Sequence, residues 1–305
     1  MSHSHGTSDT LYNPDLKGKK LLLSILLNSI ITVAQIIGGL VSGSLALLSD
    51  ALHNFSDVLS LLVSYIADRY SKKEASVEKT FGYKRAEIIA AFVNSAILIV
   101  VAIYLIYEAI VRFNNPQIIE SNLVIWLAIL GIIANGFSVL LLSKEAKGNI
   151  NMRSAYLHLL TDMAASVAVL IGGLLMKYLN WFWVDSFLTM LIALYLIFMG
   201  YGLLKSSYKI LMLFTPDNLN LEVINKAICQ FPEIKNVHHM HIWMLNEQEM
   251  HLEAHLDFYE DVTLSEFDLV LTKVEELLYN DFGINHVTIQ PEHQKDDPKD
   301  IIVQD

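Results

Sequence analysis

The sequence predicts an all-α transmembrane domain of six helices followed by a small α+β cytosolic domain. Three observations predict it. The chain of 305 residues is 53% hydrophobic and only 17% charged, against about a quarter charged in ordinary soluble domains. Six apolar stretches, near 21–41, 45–66, 88–111, 122–142, 152–176 and 183–204, are each long enough to cross a hydrocarbon core of about 30 Å. Composition then breaks: residues 1–209 carry 16 Lys and Arg against 13 Asp and Glu, whereas residues 210–305 carry 5 against 19. Low Gly and Pro content excludes disorder and collagen-like fibres, the lone Cys229 excludes a disulfide framework, and the acidic C-terminal region argues against nucleic acid as a partner.

The apolar stretches must be helices, because lipid offers no partner to an unpaired backbone group. The first is too long for a signal-peptide core and no small-residue cleavage site follows it, so it is expected to remain in the mature chain. Loop charge sets the orientation. Lys17, Lys19, Lys20, Arg69, Lys72, Lys73, Lys79, Lys84, Arg85, Lys144, Lys147, Arg153, Lys205 and Lys209 fall on one side, and only Arg112 and Lys177 on the other. The positive-inside bias therefore puts both termini in the cytosol. The expected division is an N-terminal cytosolic tail over 1–19, the transmembrane domain over 20–208, a cytosolic domain over 209–293 and a disordered tail over 294–305.

Ionisable side chains within the spans are costly, so each needs a reason. The second span contains Leu52-His53-Asn54-Phe55-Ser56-Asp57 and the fifth contains Leu157-His158-Leu159-Leu160-Thr161-Asp162. Both read Leu-His-x-x-[Ser/Thr]-Asp. Positions i and i+4 share a helix face, so each pair aims an imidazole and a carboxylate the same way. Two such faces opposed supply two nitrogens and two oxygens, a closed tetrahedral set suited to Zn²⁺. Two ionised Asp and two neutral His carry a charge of −2 that a divalent ion cancels. Without metal the same groups call for protons, so the set is expected to exchange metal for H⁺. A single pair would serve equally well as an interhelical hydrogen-bond clasp; the repetition in two spans favours metal and hints at related halves.

Asp50 shares the face of His53 and Asp57 and is a candidate supporting or proton-relay group, or a carboxylate in a wet vestibule with no special part. Asn28, Gln35, Asn94 and Asn135 read as interhelical hydrogen-bond partners, and Gly38, Gly39, Gly172 and Gly173 as close-packing positions.

Beyond residue 209, Thr215-Pro216-Asp217 ends the last span and opens a new unit. A helix is expected over 218–230, strands over 236–244 and 249–258, and a helix opened by the capping box Thr263-x-x-Glu266. Its apolar stripe would be Leu264, Phe267, Leu271, Val274 and Leu278, and a third strand would follow over 286–290. The order α-β-β-α-β implies a small open sheet with helices on one face. Seven of the 11 His lie here, beside many acidic groups, so the region is a candidate metal binder. His239, His241 and His251 read as sheet-face residues, with Trp243 on the face of the first two.

These residues resemble the cation diffusion facilitator family over nearly the whole chain. The resemblance is carried by Gly-Ser-Leu-Ala-Leu-Leu-Ser-Asp-Ala-Leu-His at 43–53 with Asp57, Thr-Phe-Gly-Tyr-Lys-Arg-Ala-Glu at 80–87, Asn-Met-Arg-Ser-Ala-Tyr-Leu-His at 151–158 with Asp162, and Val-His-His-Met-His-Ile-Trp at 237–243. It implies a homodimeric transporter that moves divalent metal out of the cytosol in exchange for protons, with a metallochaperone-like C-terminal domain. It implies that His53, Asp57, His158 and Asp162 form the transport site, in the pattern of the zinc/cadmium branch. It also implies a cytosolic, regulatory Zn²⁺ site at His238, His255 and Glu292, with His286 as a fourth ligand. Where some relatives bind metal between spans two and three, this chain has Lys79 and Tyr83, and its 143–149 loop has no His. His3 and His5 remain at the N-terminus, where two His do not close a tetrahedral site and a disordered tail is expected.

A bacterial plasma membrane is the expected location, from the compact loops. Competing readings are a membrane-anchored zinc sensor that transports nothing, a carrier of another divalent ion (Co²⁺, Fe²⁺ or Mn²⁺), and an intramembrane zinc enzyme. The last is disfavoured because no His-Glu-x-x-His occurs and four ligands leave no open coordination position.

Overall fold

In the computed structural model, the described residues are 14–71, 76–143 and 150–303. Six long helices come first: α1 (Pro14–Ser42), α2 (Leu45–Ser71), α3 (Ala86–Asn114), α4 (Ser121–Leu142), α5 (Ile150–Leu179) and α6 (Trp183–Leu211). They are followed by α7 (Leu221–Ile228), β1 (Ile234–Met244), β2 (Met250–Phe258), α8 (Leu264–Phe282) and β3 (His286–Glu292). Each expected apolar stretch lies on one of the six long helices. Among the described residues, segments of four are long and apolar enough to cross a membrane: Ala86–Asn114, Ser121–Leu142, Tyr156–Leu179 and Trp183–Leu211. The chain is thus a membrane protein with a helical domain and a C-terminal domain built on a three-stranded sheet.

Two compact units make up the chain: Met1–Leu62 with Asn94–Tyr201, and Val63–Val93 with Gly202–Asp305. In the first unit α4 packs on α1 and α5. One apolar cluster joins Leu47, Val124, Ala128, Val169 and Met176; another joins Leu45, Ala102, Leu105, Ala193 and Leu196. Close approach explains the small residues: a Cβ at Gly39 would stand 3.1 Å from the Leu48 backbone. Asn94 Nδ2 donates to Ser56 Oγ at 3.0 Å, tying α3 to α2. At the α2 N-terminus the buried Asp185 of α6 accepts from Ser44 Oγ (2.5 Å), Leu45 N (2.8 Å) and Ala46 N (3.3 Å). A carboxylate there satisfies N–H groups that have no partner within the helix and meets the positive end of its dipole.

In the second unit α8 begins as its sequence dictates. Thr263 Oγ1 accepts from Glu266 N at 3.4 Å while the Glu266 carboxylate takes Thr263 N–H at 2.8 Å. The helix ends at Gly283, whose φ of 71° only glycine adopts without strain. Phe267, Val270, Val274 and Leu278 are buried against Ile224, Ile228 and the inner face of the sheet. Leu264, expected in that stripe, is instead 74% exposed, at the first residue of the helix. The first helix is shorter than expected; the Asn220 side chain caps it, accepting from Glu222 N at 2.9 Å.

The sheet order is β1-β2-β3, antiparallel then parallel. On β2, Leu252, Ala254, Leu256 and Phe258 face the core, as the alternation predicts. On β1 the alternation breaks. Val237 pairs with Leu256 and His238 with His255, but His241 then pairs with Glu253, leaving one extra residue in β1. His239 takes φ 50° in this bulge. Both Val237 and Met240 therefore face the core, and His238 turns to the opposite face beside His255.

The expected disordered tail over 294–305 requires correction through residue 303. Asp300 and Ile301 carbonyls accept the bulge N–H groups of His239 (3.1 Å) and Met240 (2.7 Å), and Ile301 packs on the core cluster. Its polar composition suggested disorder, but the bulge supplies backbone donors for it to satisfy. His3, His5 and positions 144–149 of the loop lie outside the described residues.

Candidate metal centre

The helical spacing does in three dimensions what it does on paper. His53 and Asp57 project from one face of α2, His158 and Asp162 from one face of α5, and the two faces meet. One ligand atom from each of the four residues lies within 4.8 Å of all the others. His53 Nδ1 is 3.6 Å from Asp57 Oδ2 and His53 Nε2 is 3.5 Å from Asp162 Oδ1. His158 Nε2 is 3.2 Å from Asp57 Oδ2 and 3.7 Å from Asp162 Oδ2. A tetrahedron with metal–ligand bonds of about 2.0–2.1 Å has edges of about 3.3–3.4 Å; each imidazole offers one nitrogen to an ion, and with one atom from each residue gathered within 4.8 Å, small side-chain rotations bring the set to that size.

Burial is uneven around the cluster. Asp162 and His53 are buried, whereas the side chains of Asp57 and His158 are 30% and 39% exposed, so the cluster is open on their side. Neither Asp162 oxygen accepts a hydrogen bond among the described residues, which leaves both free for a cation.

Asp50 sits behind the cluster. It is buried, and its Oδ2 accepts from Gln35 Nε2 and Ser166 Oγ, each at 3.4 Å, joining α2 to α1 and α5. Tyr195 of α6 presents its ring edge-on to His53 at 5.9 Å between centroids. Nothing in the sequence singled it out, because an aromatic residue in an apolar helix has no polar neighbour to mark it.

A second cluster lies on the outer face of the sheet: His238, His255, Glu292 and Asp297. His238 Nε2 is 3.2 Å from Glu292 Oε2 and 3.7 Å from Asp297 Oδ1, and His255 Nδ1 is 3.0 Å from Glu292 Oε1. His286 is not among them: it pairs across the sheet with His251, rings 4.3 Å apart, while His255 pairs with Gln290. Asp297 takes the fourth place. Nothing in the sequence marks it, because it lies in a polar C-terminal segment without hydrophobic periodicity.

Ammonium groups crowd this second cluster. Lys295 Nζ is 2.6 Å from Glu292 Oε1, and Lys299 Nζ is 3.1 Å from both Glu292 Oε2 and Asp257 Oδ2. Burial works to raise the Glu292 carboxyl, but Lys295, Lys299 and the Gln290 amide outweigh it and hold it below the usual range. Lys299 holds Asp297 far below the carboxylate range. Partial burial lowers His255, helped by His239, His238 and Lys295 and opposed by Glu292, so its neutral, metal-ligating form is favoured. Between α2 and α3, Lys79 Nζ donates to the Tyr83 hydroxyl at 2.5 Å.

Fold and clusters together define a polytopic membrane protein with groups of His and carboxylate side chains that could hold a metal ion both within its helices and on its C-terminal sheet. The family model of the cation efflux transmembrane domain matches residues 21–212, and that of the cation efflux protein cytoplasmic domain matches residues 216–294. The chain belongs to the cation efflux family, the cation diffusion facilitators. It is 37% identical over 294 residues to the cadmium, cobalt and zinc/H(+)-K(+) antiporter of Bacillus subtilis (strain 168), covering 96% of this chain and 92% of that one. It is 35% identical over 288 residues to the cation efflux system protein CzcD of Alcaligenes sp. (strain CT14), covering 94% and 89%. To the zinc transporter ZitB of Escherichia coli (strain K12) it is 33% identical over 297 residues, covering 96% and 93%.

Proposed function

We propose that this protein is a metal/proton antiporter that exports Zn²⁺, and Cd²⁺ with it, from the cytosol by alternating access. The observation that carries the reading is the convergence of His53, Asp57, His158 and Asp162 from two helices, one ligand atom from each within 4.8 Å of the others. The relatives' names support the metals, cobalt included, and one adds K⁺ to the counter-ions. In this reading six helices span the membrane, both termini face the cytosol, the bacterial inner membrane is the location and two copies form a homodimer.

Each step follows from the side chains. Metal is taken by two carboxylates and two neutral imidazoles whose summed charge cancels its own. The exposed sides of Asp57 and His158 give it a way in, and Asp162 closes the back of the site. Once the ion leaves on the far side, two ionised carboxylates remain beside two neutral imidazoles, and proton uptake by the cluster relieves the uncompensated charge. Movement of those protons to the cytosol as the site returns makes the exchange. Asp50, through Gln35 and Ser166, holds α1, α2 and α5 in register around the ligands. His238, His255, Glu292 and Asp297 form a cytosolic, regulatory site.

Flux in proteoliposomes tests this. With Zn²⁺ inside and a pH-sensitive dye enclosed, zinc loss should acidify the lumen, and K⁺ outside should change the rate only if it shares the counter-ion's part. Zinc binding without flux would replace transport by sensing.

A further inference from the structure

The second cluster already holds a cation, and the chain supplies it. Lys299 Nζ stands 3.1 Å from Glu292 Oε2, 3.1 Å from Asp257 Oδ1 and 3.3 Å from His238 Nε2, and it contacts Asp297 Oδ1. Glu292, Asp257 and His238 are all buried. An ammonium has only donors, so it hydrogen-bonds His238 Nε2 in the tautomer that leaves a lone pair there. That is the lone pair a metal ion would take.

We propose that Lys299 is a tethered cation that occupies the cytosolic metal site in the metal-free state and must be expelled for a divalent ion to bind. The inference rests on reading His238, His255, Glu292 and Asp297 as that site. Three further observations carry it. The backbone next to Lys299 is pinned, since Asp300 and Ile301 accept the bulge N–H groups of β1. The ammonium is therefore held at high effective concentration beside the cluster. Its side chain is nonetheless one-third exposed, so it can swing into water without moving the strap. Finally, the charges suit an exchange. Asp257, Glu292 and Asp297 face Lys295 and Lys299, leaving one negative charge. Replacing the Lys299 ammonium by a divalent ion brings the group to neutrality. Adding the ion on top of the ammonium would put two cations at contact distance. The device sets a threshold: the site fills only when free metal is high enough to displace a cation that is always present.

The test uses the full chain in detergent, with Asp162→Asn added to weaken binding at the helical site, and Zn²⁺ titrated against a fluorescent chelator. Lys299→Gln should bind Zn²⁺ at the cytosolic site at least about tenfold more tightly, given the charge removed at contact range. Lys273→Gln removes a positive charge paired with Glu233 elsewhere in the same domain and should leave affinity near the parent's. If the parent binds and Lys299→Gln binds no more tightly, the tethered cation is wrong while the metal site stands. If neither binds Zn²⁺ there, the site reading falls and the inference with it. An unmutated chain gives an independent readout: saturating Zn²⁺ should speed modification of Lys299 by an amine-reactive reagent, followed by mass spectrometry. A rate that metal does not change overturns the exchange.

Discussion

Replacing Asp162 by Asn separates the two carboxylates of the helical cluster. Asp162 has no solvent-exposed side-chain area, whereas Asp57 is 30% exposed. With both ionised, a bound Zn²⁺ is neutralised. With an amide in place of the Asp162 carboxylate one positive charge is left over, and an unbalanced charge at the centre of a membrane helix costs about 2.5–3.5 kcal/mol. At 1.4 kcal/mol per tenfold, zinc affinity should fall about 60- to 300-fold. Asp57→Asn leaves the same net charge where it is partly open to surroundings, so its loss should be several-fold smaller. Metal-free stability should move the other way: the amide removes a buried carboxylate with no hydrogen-bond donor among the described residues, so the apo melting temperature should hold or rise. The assay is Zn²⁺ titration of the full chain in detergent, paired with thermal melts with and without metal. A folded Asp162→Asn protein that keeps parental affinity, or an Asp57→Asn protein that loses more, refutes the ligand geometry.

Other outcomes follow from the same structure. His53→Asp and His158→Asp supply oxygen where nitrogen stood, so transport should broaden toward Mn²⁺; unchanged metal competition profiles in both would count against the assignment. Asp185→Ala strips the α2 N-terminus of a carboxylate that accepts from Ser44, Leu45 and Ala46 and should destabilise the helical domain by about 1–2 kcal/mol, read as a lower melting temperature. His251 is lowered from 6.5 by burial and by His286, Lys84 and Arg85, against Glu249. Its neutral form is thus preferred in the folded state, and the unfolded chain binds the extra proton. That contribution is complete above pH 6.5 and lost as pH falls below it, so the melting temperature should drop less on acidification in His251→Phe, which keeps a ring against Trp243.

The helices and the helical cluster were legible because their rules are local. Apolar length marks a span, and i,i+4 spacing fixes which side chains point together whatever the neighbouring helices do. That α2 and α5 oppose one another was an inference from cost: two ionisable pairs in apolar helices need each other. Asp185 had no such marker. It faces the α2 N-terminus across more than a hundred residues of chain, and no local pattern encodes that meeting.

The cluster on the C-terminal sheet shows where local rules stop. Strict alternation in β1 would set His238 on the face of Met240 and Ile242, in the core, and His239 on the face of His241. A single inserted residue reverses this, turning His238 toward His255 and Glu292. The bulge leaves His239 and Met240 with N–H groups that no neighbouring strand receives, and the 294–303 segment supplies the acceptors. That segment brings Asp297 and Lys299 to the cluster. One backbone irregularity thus orients His238, recruits the strap, and brings both the Asp297 carboxylate and the Lys299 ammonium to the cluster. A polar tail with no hydrophobic period reads as disorder when taken alone; it is ordered here because a strand elsewhere carries unspent donors and the sheet carries unbalanced carboxylates. Deleting residues 294–305 should therefore remove the competitor and the strap together. The bulge amides of His239 and Met240 should then exchange with solvent faster, while the Val274 and Leu278 core beneath the sheet keeps its protection.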